Sequence, residues 1–142
     1  MYLLDTNVIT ELRRAGNGKA DPNVTSWLQK QNAVELHISV INLFEMEMGV
    51  CRLERKDPVQ AGALRRSLSK VFLRAFGNRI LDITPDIATK AASLHVPDPR
   101  AERDTWIAAT AIIHELTVVT RNVADFSHAP VQILNPWDQG KG

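Results

Sequence analysis

Asp104-Thr105-Trp106-Ile107-Ala108-Ala109-Thr110-Ala111 begins with a carboxylate and continues in small residues. Its spacing predicts a helix from about Glu102 to Glu115, with Ala108 and Ala111 on one face so that the helix can lie close to a sheet. The sheet follows at once, because Thr117-Val118-Val119-Thr120 is a β-branched strand. Asn122 to Phe126 then reads as a turn or short helix, and Val131 to Leu134 as a last strand.

Upstream the same alternation recurs. Tyr2-Leu3-Leu4 is a buried strand, followed by a helix through Glu11 to Arg14. A loop from Ala15 to Gly18 precedes a second helix at Asp21-Pro22, with Trp27 and Leu28 inward. Val34 to Ile38 alternates as a strand, and Ser39 caps a long helix from Val40 to about Lys56. Its apolar stripe is Leu43, Met46, Val50 and Leu53, widened by Ile41, Phe44 and Met48. Asp57-Pro58 starts a helix to about Phe76, with Leu64, Leu68, Val71, Phe72 and Ala75 inward. Arg79 to Ile83 is a third strand, and Thr84-Pro85-Asp86 opens a helix that ends before Pro97. Pro97 to Arg100 is an ordered connector or an exposed loop. Alternating strands and helices predict an α/β fold, a parallel sheet covered by helices on both faces.

In such sheets ligands bind beyond the carboxyl ends of the strands. Asp5 follows the first strand directly, Asp104 lies in the first turn of its helix, and Asp125 follows Thr120 closely. Glu45 sits on the long helix after the second strand, four residues before Gly49, whose place in a helix suggests close packing. Carboxylates that share a site raise one another's pKa, and a divalent cation relieves the conflict. With oxygen ligands and no His or Cys motif, Mg²⁺ or Mn²⁺ is favoured over Zn²⁺. Thr6, Asn7, Thr120 and Asn122 lie beside the acids and could orient ligands or waters. Each acid also has a plainer reading. Asp5 could cap the first helix, Asp104 could compensate a helix dipole, Glu45 could be a surface residue and Asp125 a turn residue. The joint placement at one sheet edge is what points to chemistry.

Composition narrows the classes. The 142 residues are 44% hydrophobic and suffice for one domain with a real core. No apolar run is long enough to cross a bilayer, and Met1 to Asp5 does not make a signal peptide. Cys51 is the only cysteine, which excludes an internal disulfide; it is expected as a small buried hydrophobe. All this fits the cytoplasm. The net charge of +1 hides eight arginines and lysines between Arg52 and Arg79. That stretch suits a polyanion or, more simply, a solvated helix face.

The motifs also resemble a family. Leu4-Asp5-Thr6-Asn7-Val8-Ile9 is one of them, and Ser39-Val40-Ile41 through Glu45 and Gly49 another. Asp104 through Ile107-Ala108-Ala109-Thr110-Ala111 follows, then Leu116 through Val119-Thr120-Arg121-Asn122 to Asp125-Phe126. They occur in the order of the PIN-domain toxins of the VapC type, and Asn135-Pro136-Trp137 resembles the FitB-like branch. The resemblance implies a PIN-like three-layer α/β/α domain over residues 1–137, with a central, mainly parallel sheet and a loose tail at 138–142. It implies a Mg²⁺- or Mn²⁺-dependent ribonuclease, the toxin of a type II toxin–antitoxin pair, hydrolysing RNA with a metal-activated water. Asp5, Glu45, Asp104 and Asp125 match the family's acidic quartet, the last acid often acting through water or on a second ion. The implied partners are an RNA substrate, a homodimeric second copy and a cognate antitoxin, in a heterotetramer or larger, with no membrane. Glu115 departs from the pattern, standing where relatives often carry glycine, and Pro97 to Arg103 is unusual in detail.

The alternative reading is a non-catalytic PIN-like module that binds protein or nucleic acid. A phosphoryl-accepting Asp5 is a further possibility, but the Lys such proteins need is replaced in Thr120-Arg121. Other residues read as structural. His37, His95, His114 and His128 lack metal-ligand spacing. Trp27, Trp106 and Trp137 read as core or dimer packing, and Asp21, Asp57 and Asp86 as helix caps. Arg121 reads as a phosphate or antitoxin contact, or as a surface ion pair.

Overall fold

The computed structural model describes residues 1–15 and 18–138, apart from the side chain of Val71. The expected loop at Gly16 and Asn17, the tail after Asp138 and the inward placing of Val71 lie outside the described residues. Asp138 itself, expected to begin the tail, closes a 3-10 turn, Pro136–Asp138.

Five strands form the sheet in the order β3-β2-β1-β4-β5. They are β1 (Tyr2–Leu4), β2 (Leu36–Ser39), β3 (Ile80–Leu81), β4 (Thr117–Val119) and β5 (Ile133–Leu134). Every adjacent pair is parallel. β1 lies at the centre, with Tyr2 in register with both Leu36 and Thr117. The chain builds outward from β1 through β2 to β3, then returns to lay β4 on the other side of β1. The order therefore reverses between β1 and β4, and it is beyond the carboxyl ends of strands at such a reversal that open α/β sheets place a ligand crevice. The edge strands β3 and β5 pair on one side only and are shorter than the runs expected at Arg79 to Ile83 and Val131 to Leu134.

Alternation along β1 separates two cores. Leu4 joins Val8, Ile9, Trp27, Ile38, Val50 and Phe72 on one face. That face is covered by α1 (Thr6–Ala15), α2 (Pro22–Gln29), α3 (Val40–Lys56) and a continuous helical run from Pro58 to Phe76. The run comprises α4 (Pro58–Leu68), a wide π turn at Ser69–Leu73 and α5 (Arg74–Phe76). Leu3 points to the other face with Ile107, Ala108, Ala111, Val118 and Phe126. There α6 (Pro85–Ser93), α7 (Glu102–His114) and α8 (Val123–Phe126) form the third layer. The small residues of α7 serve both its neighbours. Ala108 and Ala111 meet the sheet, while Ala109 packs on Ile87 and Ala91 of α6.

Some expectations change. Val34 and Glu35 belong to a 3-10 turn, so β2 begins only at Leu36. Asp21 and Asp57 accept N-terminal N–H groups as caps, but Thr84 rather than Asp86 caps α6. Phe44 is 56% exposed and Cys51 and Ala75 are exposed, because each helix is covered on one side only. Gly49 has open space where a Cβ would stand, so close packing does not explain it. It lines a cleft of about 190 Å³ with Thr6, Ile9, Arg13, Glu45 and Leu64.

Glu115 ends α7 in the left-handed conformation, φ 56 and ψ 46. A glycine at this place avoids the clash between Cβ and the carbonyl. Glu115 is exposed, so its side chain contributes little packing. Glu115→Gly is therefore expected to stabilise the fold by roughly 1 kcal/mol in chemical denaturation. A loss of stability would contradict this.

Candidate active site

The crevice between β1 and β4 is built on Asp5. Its N–H continues the sheet by donating to Val119 O at 2.9 Å. Its backbone carbonyl, not its carboxylate, takes the N–H groups of Val8 and Ile9 that open α1. Asp5 is 9% exposed, and its carboxylate is held on both oxygens. Thr6 N donates to Oδ1 at 2.8 Å and Thr120 Oγ1 to Oδ2 at 2.8 Å. Thr120 Oγ1 in turn accepts Asn122 N at 3.0 Å and Asn7 Nδ2 at 3.4 Å. Asn7 Oδ1 accepts Arg121 N at 3.3 Å. Thr6, Asn7, Thr120 and Asn122 therefore surround Asp5, the last through its backbone.

Glu45 comes from α3. Its Oε1 accepts Thr6 Oγ1 at 3.0 Å, and Thr6 Oγ1 accepts Asn42 Nδ2 at 3.0 Å. Asn42 is fully buried and also takes Ser39 N on its Oδ1 at 2.8 Å, closing a capping box with Ser39. One residue thus caps α3 and steadies the Thr6–Glu45 contact. Asn42 was not singled out above, although the Ser39-x-x-Asn42 spacing signals a capping box. The other oxygen of Glu45, Oε2, pairs with Arg103 Nη1 at 3.3 Å. Arg103 was likewise missed, since its partner lies 58 residues away.

Asp104 stands in the first turn of α7, whose N-cap Ala101 has no side-chain acceptor for the helix N–H groups. Burial pushes its carboxyl up to about 6, helped by the charges of Asp125, Asp5 and Glu45 and opposed by Arg103. Burial also raises Asp5, against the hydrogen bonds from Thr120 and Thr6, and Asp125 adds to the rise. Glu45 is raised by burial and by Asp5, against Thr6 and Arg103. Asp125 is exposed on α8, which Phe126 anchors with no exposed surface of its own. Asp5 and Asp104 are thus each within electrostatic range of the other three acids expected from the sequence. Among the described residues, no three acidic, histidine or cysteine side chains stand close enough together to hold a metal ion as they are placed.

The histidines take other roles. His95 Nδ1 accepts Arg100 N and its Nε2 meets Thr105 Oγ1, tying the exposed 97–100 connector to α7. Burial, with Arg100 and His95 nearby, lowers His128. Trp27 packs edge-on against Tyr2 at 5.0 Å, and Trp106 packs against the α6 core. Arg121 lies over the Trp137 ring at 5.3 Å, and no ion pair with another described residue is found for it.

A family profile described as PIN domain matches residues 2–131. This chain belongs to the PIN-domain family. The PIN domain is 33% identical to toxin FitB of Neisseria gonorrhoeae, over 96% of this chain and 99% of that protein. It is 34% identical to plasmid stability protein StbB of Pseudomonas syringae pv. tomato, covering 97% and 99%. A VapC ribonuclease of Sinorhizobium fredii is 30% identical, covering 97% and 99%. Among solved structures, FitAcB from Neisseria gonorrhoeae superposes with a TM-score of 0.86 at 33% identity, covering 96% of this chain and 99% of that one. The PIN domain contains no helix, among its described residues, long and apolar enough to cross a membrane.

Proposed function

We propose that this PIN domain is a divalent-metal-dependent ribonuclease, the toxin of a type II toxin–antitoxin pair, with Asp5, Glu45, Asp104 and Asp125 as its metal-binding and catalytic acids. The observation that carries the reading is the electrostatic coupling of Asp5, at the strand-order reversal of a PIN fold, and of Asp104 to each other and to Glu45 and Asp125. The names of the relatives support it, since one is a toxin and another a ribonuclease. The proposed domain covers residues 1–137 and works in the cytoplasm, where its RNA substrate is found.

The donor set fits a hard cation. It is made of oxygen, and although burial is the larger cause of the rise of Asp104 to about 6, the like charges that add to it are what a cation would relieve. Mg²⁺ or Mn²⁺ bound there would supply an activated water and charge stabilisation at the phosphorus. The chain does the rest. Thr6 and Thr120 fix both oxygens of Asp5, so that this ligand is oriented before any ion arrives. Thr6 also holds Glu45 Oε1 through its hydroxyl. Asp104 and Asp125 bring carboxylates from the first turns of α7 and α8. The protein acts as a homodimer, in a heterotetramer or larger with its antitoxin. The cleft beside Gly49 leads to Glu45 and suits an antitoxin peptide whose basic side chain reaches the acids.

The test is digestion of total RNA by purified protein with Mn²⁺, Mg²⁺ or EDTA, alongside Asp5→Asn. The expected outcome is discrete fragments that need the metal and vanish in the variant. No cleavage by folded, antitoxin-free, metal-loaded protein would sink the reading in favour of a binding module. A finer test removes one donor. Thr120→Val deletes the hydroxyl on Asp5 Oδ2 and is expected to weaken Mn²⁺ binding by about 10- to 100-fold in a calorimetric titration. Unchanged affinity would mean that Asp5 is not an oriented ligand.

A further inference from the structure

Glu45 is held from two sides. Thr6 takes Oε1 from within the fold, and Arg103 covers Oε2 from outside at 3.3 Å. The Arg103 side chain is 48% exposed and that of Glu45 25%. The contact uses one guanidinium nitrogen, not the bidentate fork. An exposed pair of this kind contributes about 0–1 kcal/mol, so a divalent ion drawn by four carboxylates would displace it. The displaced guanidinium would stay at the site, because its backbone is fixed in the first turn of α7 beside Asp104. It keeps a fork of donors that matches phosphate oxygens. Arg121, by contrast, already lies on the Trp137 ring.

We propose that Arg103 is the phosphate-positioning residue of the site: it covers Glu45 in the metal-free protein, yields it to a divalent ion, and then takes a non-bridging oxygen of the RNA phosphate. The proposal rests on the ribonuclease reading above. It makes Arg103 a competitor of the metal when RNA is absent and an ally of the substrate when metal is bound.

The experiment compares wild type, Arg103→Gln and Arg103→Lys. Mn²⁺ affinity is measured calorimetrically without RNA, and KM and kcat on a short single-stranded RNA across a salt series. Arg103→Gln is expected to bind Mn²⁺ more tightly, by up to about fivefold, since Glu45 loses its competitor. Its KM should rise about tenfold with kcat changed less than about threefold, the loss of one charge-assisted contact. Its salt dependence should fall by about 0.7 in log–log slope, the share of one phosphate contact. Arg103→Lys should restore the slope and part of KM. Unchanged KM and slope in Arg103→Gln, with an active wild type, would overturn the proposal and leave the ribonuclease standing. Weaker Mn²⁺ binding would overturn it too, because Arg103 would then be holding Glu45 in place for the metal. A wild type that binds Mn²⁺ and cleaves no RNA would overturn both.

Discussion

Asp104→Asn is expected to lower metal-dependent RNA cleavage by about a thousandfold, corresponding to several kcal/mol of lost charge stabilisation. The same variant is expected to be more stable than wild type when metal-free at about pH 7.5. The second effect follows from the site's own electrostatics. Burial and three neighbouring acids raise Asp104 to about 6 in the folded protein. Between the ordinary aspartate pKa and about 6, the folded state therefore binds more protons than the unfolded chain. Stability falls as pH rises through that window and stays lowered above it. An amide carries no charge and escapes the penalty. The gain is on the order of 1 kcal/mol, because Asp104 is only partly buried and solvent screens it. Wild type should thus melt higher at about pH 5.5 than at about pH 7.5 without metal, other groups aside, and this slope should shrink in Asp104→Asn. Saturating Mn²⁺ should raise the melting temperature of wild type and leave the variant nearly unmoved. Thermal melts at both pH values, with and without Mn²⁺, check all of this. A variant less stable than wild type at about pH 7.5 would show that Asp104 is not the strained acid.

Asn42→Ala should damage fold and site together. The buried amide satisfies Ser39 N in the capping box and Thr6 Oγ1 beneath Glu45. Alanine leaves the Ser39 N–H buried without its acceptor and removes a cap, a loss of about 2–4 kcal/mol. Thr6 also loses its anchor, so Glu45 is held less firmly. Mn²⁺ affinity should drop by about 10- to 100-fold, as for other groups that orient ligands. The two effects separate in a double-mutant cycle with Thr6→Val. If Asn42 acts on the metal through Thr6, adding Asn42→Ala to Thr6→Val should weaken Mn²⁺ binding little further, while stability still falls. Full Mn²⁺ affinity in folded Asn42→Ala would contradict the chain of contacts.

The parts of this molecule that were legible in its sequence are those governed by local rules. Asp21-Pro22 and Asp57-Pro58 announce helix starts because a carboxylate can accept orphan N–H groups and proline loses nothing at that position. Thr117-Val118-Val119 is β-branched throughout, so its strand is unambiguous. Ala108 and Ala111 foretell a helix lying close to the sheet. The sheet edge that gathers Asp5, Asp104 and Asp125 follows from alternation and handedness. What stayed hidden depends on tertiary neighbours. Phe44 continues the apolar pattern of α3 yet faces outward, because nothing covers that side of the helix. Gly49 costs helix propensity for an open cleft rather than a close contact, and spacing alone cannot tell these apart. Arg103 looks like any exposed helix cation until α3 brings Glu45 against it. Glu115 shows the reverse: its departure from glycine was visible, but the strain of a left-handed φ became apparent only with the backbone in hand.

The most direct test of the central claim is the chemistry of the cut ends. RNA cleaved by the purified protein with Mn²⁺ should be resolved by mass spectrometry, since the two possible nucleophiles leave different termini. Attack by an external water, as the carboxylate site requires, leaves a 5′-phosphate and a 3′-hydroxyl. Fragments ending in 2′,3′-cyclic phosphate would mean that the RNA's own hydroxyl attacked, and would contradict hydrolysis by a metal held on Asp5, Glu45, Asp104 and Asp125.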